Sequence, residues 1–241
     1  MQKRSALIIG AGDATGGAIA RRFAREGYAT IGTRRTAEAL QPLVAQIEAE
    51  GGEAYGFGSD ARDEDAVIAL FDKIETEIAP IEVLVFNIGA NVFFPIAETT
   101  ARVYRKVWEM AAFSGFLTGR EAARRMTPRG KGTILFTGAT ASVRGGTGFA
   151  AFAGAKFALR ALAQSMAREL GPKGIHVAHS ILDGAIDTAW IAENFPDRYA
   201  LKDQDGILNP EAIAESYWQV HIQDRSAWTH EIDLRPWMET F

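Results

Sequence analysis

The chain has 241 residues, 47% hydrophobic and 23% charged, with a formal net charge of −4. That length supports one sizeable core, and the lack of a basic run argues against nucleic acid or an anionic membrane as partner. With no cysteine, disulfides, thiolate nucleophiles and cysteine–zinc sites are excluded, which fits a reducing cytoplasm.

Residues 1–17 begin basic and turn apolar, but glycines cut the run after a few residues, so no signal peptide is expected. No window approaches the roughly 18 unbroken apolar residues of a membrane helix.

Short apolar runs then alternate with helix-like stretches. Ala6–Gly10 reads as a buried strand ending in glycines, and Gly16–Gly27 as a helix with Ile19, Phe23 and Ala24 on one face. Tyr28–Thr33 is the next strand, followed by a helix carrying Leu40, Leu43, Val44 and Ile47 at helical spacing. Residues 53–59 form a third strand, Asp63–Ala79 a helix and Ile81–Asn87 a strongly apolar strand. One long helix is expected from Thr100 to about Thr127, then strand Gly132–Gly138, helix Ala151–Leu170 and strand Gly174–Leu182.

This alternation implies right-handed βαβ units. The expected fold class is α/β, a single Rossmann-type doubly wound parallel sheet over residues 1–241 with helices on both faces. Residues 184–209, with weak periodicity and Pro196 and Gly206, read as a loop with short helices, a lid over the strand ends. Residues 231–234 read as a last strand, and Trp228, Trp237 and Phe241 as a docking surface.

Ligand sites of such sheets lie beyond the carboxyl ends of the strands. There Gly10, Gly12 and Gly16, with Asp13, Ala14 and Thr15 between them, join a strand to a helix. Glycine lets the backbone approach a pyrophosphate, and the helix start supplies free N–H groups and a positive dipole end. Arg34 and Arg35 end the next strand, where a carboxylate would take a ribose diol. Arginines match a 2′-phosphate instead and favour NADP over NAD. Asp60 and Ala61 follow the third strand, placed to hold adenine, and Asp63 reads as a helix N-cap.

On these residues the chain resembles a short-chain dehydrogenase/reductase, in register from about Ser5 to Thr188. The family's T-G-x-x-x-G-x-G turn is occupied by Ile9-Gly10-Ala11-Gly12-Asp13-Ala14-Thr15-Gly16, with Ile for Thr and Ala for the middle Gly. Its N-N-A-G element becomes Phe86-Asn87-Ile88-Gly89, and its P-G-x-x-x-T element, which cradles the nicotinamide carboxamide, becomes Asp183-Gly184-Ala185-Ile186-Asp187-Thr188. The stretch before Asp183 is one residue longer than usual, so a bulge is expected in that strand.

The resemblance also implies a catalytic set that the chain lacks. The family's Tyr, four residues before Lys156, falls on Phe152; its Ser falls on Ala139 and its Asn on Ala112. Three polar groups are replaced by residues without a donor or acceptor, whereas Lys156 remains to hold a nicotinamide ribose. The implied protein is an NADP(H)-dependent oxidoreductase with a non-standard site, reducing C=N, activated C=C or C=O in an apolar or aromatic substrate. The alternative is a catalytically silent NADP(H)-binding sensor or assembly protein.

Asp183 stands where the family has proline and is the foremost substitute proton source, alongside a plain solvent-facing reading; Thr140, Ser142 and Tyr199 are weaker ones. Ala112, Ala139, Phe149, Phe152 and Trp190, with Phe113, are expected to line an apolar substrate pocket. The four histidines form no metal constellation, and His221 and His230 read as surface residues. The resemblance further implies a homo-oligomer, a dimer or tetramer.

Overall fold

The computed structural model describes residues 3–240. Its centre is a seven-stranded sheet in the order β3-β2-β1-β4-β5-β6-β7, every neighbouring pair parallel. The strands are β1 (Ser5–Ile9), β2 (Ala29–Arg34), β3 (Glu53–Gly58), β4 (Ile81–Phe86), β5 (Gly132–Thr137), β6 (Ile175–Leu182) and β7 (Glu231–Leu234). The helices are α1 (Thr15–Arg25), α2 (Gln41–Ala49), α3 (Glu64–Glu77), α4 (Ala101–Trp108), α5 (Ser114–Met126), α6 (Ala150–Leu170), α7 (Ala189–Asn194), α8 (Pro196–Tyr199) and α9 (Pro210–His221).

Alternation along the strands divides the core in two. Ala6 and Ile8 of β1 face a layer with Ile19 and Phe23 of α1 and Tyr217 and Trp218 of α9. Leu7 and Ile9 face the opposite layer, with Phe71 and Ile74 of α3, Leu117 of α5 and Leu159 of α6. Burial on both faces makes β1, β4 and β5 near-continuous apolar runs.

The structure departs from the sequence expectations at four places. The long helix is interrupted by a π-helical turn, Glu109–Phe113, that separates α4 from α5. The expected bulge in β6 is absent: its eight residues keep unbroken register with β5 and β7. Helix α9 was not anticipated. Asn209 caps it by accepting from the Glu211 N–H at 2.8 Å, and Pro210 opens it. It docks on α1 through a Phe23–Trp218 edge contact at 5.4 Å and the pairs Arg21–Glu211 (2.7 Å) and Arg22–Glu215 (2.6 Å). At the C-terminal end, Trp228 does not stand free but stacks on His176 at 4.7 Å; Trp237 is exposed, and Phe241 lies outside the described residues.

Candidate active site and nucleotide cradle

The first turn is built by close backbone approach. Gly10 sits at φ +87°, and a Cβ there would come within 3.0 Å of the Asn87 carbonyl oxygen. A Cβ on Gly16 would stand 2.5 Å from the Gly10 oxygen. Asn87 ties the ends of β1 and β4 together, donating from its side chain to Gly10 O at 3.1 Å and from its backbone to Ile9 O at 2.8 Å. Gly12 and Gly89 behave differently: a Cβ on either would meet nothing within 4 Å, although both line cavities. Protein packing does not require those two glycines, and the space beside them is open. Helix α1 starts beside them with no side-chain cap and no acid in its first turn. Its free N–H groups and positive dipole end face an open cavity, which suits a pyrophosphate.

Beyond the turn lies a cavity of about 280 Å³ at the ends of β2 and β3. Asp60 and Ala61 line it. Arg62, which sequence reasoning did not single out, grips Asp60 through Nε at 2.9 Å and Nη2 at 2.5 Å. These hydrogen bonds hold the Asp60 carboxyl below its usual range against the opposing effect of burial. Arg34 donates to Asp13 at 3.3 Å and to the Ala39 carbonyl at 3.4 Å. With those two pairs formed, exposed Arg35 is the cation in excess at this cavity among the described residues. Asp63 caps α3 by accepting from the Ala66 N–H at 3.1 Å, as expected.

A second cavity of about 1740 Å³ runs from the start of α1 past Lys156 to the segment after β6. Gly184, Ile186 and Thr188 line one side. Thr188 accepts from the Ile191 N–H at 3.1 Å to cap α7, and Ile186 bridges to Leu208. The far wall is aromatic: Phe93 meets Phe149 edge-on at 5.3 Å, and Trp190 packs on Phe195 at 5.4 Å. Phe152 and Ala139 line the space between. Ala112 and Phe113 do not. The π-helical turn buries Ala112, puts Met110 at the smaller cavity's wall and leaves Phe113 stacked on Trp108 and Phe116. Val92, Phe93 and Phe195 take their place.

Lys156 is 2% exposed and projects from α6 into this cavity. Its ammonium donates to Thr137 O at 2.8 Å and Ile88 O at 3.2 Å, bridging the ends of β5 and β4, with Nζ 5.9 Å from the Phe152 ring centre. Burial pushes it down to about 8. Asp183, also lining, is 4% exposed, so the solvent-facing reading fails. Thr140 donates a hydrogen bond to its carboxylate, and Arg144 (3.7 Å) and Arg235 (3.4 Å) flank it.

The family model for short chain dehydrogenases matches residues 4–198. The chain belongs to the short-chain dehydrogenase family. A short-chain dehydrogenase from Rhodopseudomonas palustris is 51% identical in structural alignment, covering 98% of this chain and 100% of that one, with a TM-score of 0.85. Gluconate 5-dehydrogenase of Gluconobacter oxydans is 31% identical over 172 residues, 71% of this chain and 67% of that protein. The short-chain reductase protein NovJ of Streptomyces niveus is 29% identical over 238 residues, 98% of this chain and 88% of that protein. A metagenomic short-chain oxidoreductase solved in complex with NADP shares the fold, at 22% identity, a TM-score of 0.81 and 98% coverage of both chains.

Ser142, Tyr199 and His221 lie off the cavity. Ser142 is fully buried and accepts from the Ala139 N–H at 3.1 Å. The Tyr199 hydroxyl accepts from Lys202 at 3.3 Å, outside the lining. His221 is not a surface residue: it bonds Tyr28 (2.7 Å) and Thr133 (2.8 Å) in a polar cluster under the sheet, because α9 carries it inward. No cluster of metal-ligating side chains occurs among the described residues, and no helix there is long and apolar enough to cross a membrane.

Proposed function

We propose that this short-chain dehydrogenase is an NADP(H)-dependent oxidoreductase that reduces an apolar or aromatic substrate without the family's Tyr, Ser and Asn. One observation carries the reading: a single cavity leads from the uncapped start of α1, past buried Lys156, to an aromatic wall. The first turn, Gly10–Gly16, would hold the pyrophosphate, with Asn87 and Gly89 beside it. Arg35, with Arg34, would take a 2′-phosphate, and Asp60 and Ala61 the adenine side. Lys156 would hold the nicotinamide ribose, and Gly184, Ile186 and Thr188 the carboxamide. When bound, the nicotinamide supplies a hydride. The chain's part is to orient the substrate against the rings of Phe93, Phe149, Phe152 and Trp190 and to exclude water there.

The absence of donors at Phe152 and Ala139 bears on which bond is reduced. A developing alkoxide loses about 10²–10³ in rate when one positioned donor is missing. An iminium carbon or a conjugated C=C makes less demand at that point. Asp183 fits an anchoring role, since its carboxylate accepts from Thr140 and lies between two guanidinium groups. The same bare wall also supports a second reading, an NADP(H)-binding protein without turnover.

Tyr104, Trp108, Phe116 and Phe157, each 40–45% exposed on α4–α6, support a homo-oligomer built on that face. The lack of cysteine is consistent with a cytoplasmic setting. The deciding experiment is NADPH oxidation with a panel of aromatic ketones, enones and cyclic iminium ions. Turnover of any class supports the oxidoreductase; silence across the panel with tight NADPH binding supports the second reading.

A further inference from the structure

Resting on the reading of the large cavity as the nicotinamide and substrate site, we infer that residues 235–239, just after β7, form a strap that fixes the α7–α8 lid over the substrate end, and that Asp183 anchors the strap to the sheet.

The lid is weakly held by its own packing. Its two ends meet at the Ile186–Leu208 bridge, where the Asp187 N–H donates to Leu208 O at 2.9 Å and the Leu208 N–H to Ala185 O at 2.8 Å. The excursion between them carries α7 and α8, and no residue of either helix is buried. A segment with so little buried apolar contact opens locally at low cost. Its position over the cavity therefore depends on what grips it away from the bridge.

The segment after β7 grips it at successive residues. Pro236 lies against Gly184, where a Cβ would stand 2.7 Å from the proline Cδ. The Trp237 indole N–H donates to Gln204 O at 2.9 Å, although the residue is 76% exposed. Met238 packs on Gly206, its sulfur 3.1 Å from where a Cβ would stand. Glu239 pairs with Arg198 of α8 at 3.5 Å, and both line the cavity with Trp190 and Phe195. The Glu239 N–H donates back to Pro236 O at 3.0 Å, closing the strap into one turn.

Asp183 holds the start of this strap. Its backbone N–H donates to Leu234 O at 2.8 Å, and its carboxylate lies 3.4 Å from Arg235, which also pairs with Asp233. Thr140 and Arg144 fix the same carboxylate from the segment after β5. The proline that the resemblance leads one to expect at this position has no N–H for Leu234 and no charge for Arg235. None of the polar partners of Asp183 named here lies in 198–206, so it acts on the lid through Arg235, as a positioning residue.

The test follows hydrogen exchange by mass spectrometry on the full chain without nucleotide, in wild type, Trp237→Ala and Asp183→Asn. Residues 198–206 include the hydrogen-bonded N–H groups of Leu201, Gln204, Asp205 and Gly206. Their exchange should be about three- to tenfold faster in each variant, with β1 and β4 unchanged. A purely local role for Asp183 at the end of β6 would leave 198–206 unmoved. If Asp183→Asn does not fold, Trp237→Ala decides, since its side chain is exposed. With a ketone, enone or iminium ion that wild type reduces, Trp237→Ala should raise KM about threefold or more, with NADPH affinity within about threefold of wild type, because Trp237 lies outside the lining. Wild-type exchange of 198–206 in Trp237→Ala, or in folded Asp183→Asn, overturns the strap. Faster exchange with an unchanged KM overturns its place in the substrate site. Failure of wild type to bind NADPH overturns the reading of the cavity instead, and the exchange result then decides the strap alone.

Discussion

Substituting alanine at Gly12 and, separately, at Gly16 distinguishes a nucleotide cradle from a tight turn with no ligand. At Gly16 the new Cβ would stand 2.5 Å from Gly10 O and 2.8 Å from the Ala11 Cα, both backbone atoms that cannot rotate away. Overpacking of that kind costs about 1–3 kcal/mol. For a chain of this size each kcal/mol moves Tm by about 2–4 °C, so Gly16→Ala should melt about 2–12 °C lower. At Gly12 the Cβ meets no protein atom within 4 Å, and the backbone is outside the left-handed region. Reduced freedom of the unfolded chain then gives a change between zero and about +1 kcal/mol. The same methyl group projects into the space assigned to the pyrophosphate, and a loss of about tenfold or more in NADPH affinity is expected, which is about 1.4 kcal/mol. Melting curves with and without NADPH, read beside calorimetric titration, measure both quantities. Gly12→Ala binding NADPH as well as wild type, or melting as low as Gly16→Ala, would refute the cradle argument.

Two further predictions concern the bare wall and its lysine. Phe152→Tyr combined with Ala139→Ser should raise NADPH-dependent reduction of an aromatic ketone by about 10²-fold or more; a double variant no faster than wild type would mean that the substrate stands elsewhere in the cavity. Lys156 also sets a pH dependence of stability. Unfolded, it keeps its proton up to about 10.5; folded, only up to about 8. The unfolded state therefore binds more protons between those values, and stability from this group rises with pH across that window by about 1.4 kcal/mol per pH unit. The folded state carries the full penalty, about 3 kcal/mol, below pH 8. In the apo protein, Lys156→Met should remove that slope, so its stability relative to wild type falls as pH rises from 8 to 10.5; a difference that does not change with pH in denaturant titrations would contradict the buried, unpaired ammonium.

Much of the frame was legible because each segment carried its own signal. Strands β1, β4 and β5 are apolar runs ending at or near glycine, and Asp63 announces α3 by its capping position. The glycine turn was legible for the same reason: Gly10, Gly12 and Gly16 lie within a single turn between β1 and α1. What stayed hidden depends on partners distant in the chain. The setting of Asp183 depends on Thr140 and Arg144 after β5 and on Arg235 after β7, two segments distant from it in the chain. The π-helical turn that withdraws Ala112 interrupts an otherwise continuous helical stretch with no glycine or proline to mark it, so a sequence pattern does not reveal it. Helix α9 had a usable signal in Asn209-Pro210 followed by Ile213, Ala214, Tyr217 and Trp218, but its apolar face becomes meaningful only against α1.

The central claim is that this cavity takes NADPH in preference to NADH. Calorimetric titration of the full chain with each nucleotide, repeated on Arg35→Asp, tests it most directly. NADPH should bind at least about tenfold more tightly than NADH, a difference of about 1.4 kcal/mol for one charge-assisted contact, and Arg35→Asp should abolish the difference while leaving NADH affinity near its original value. Equal affinities in wild type, or no binding of either nucleotide, would contradict the account.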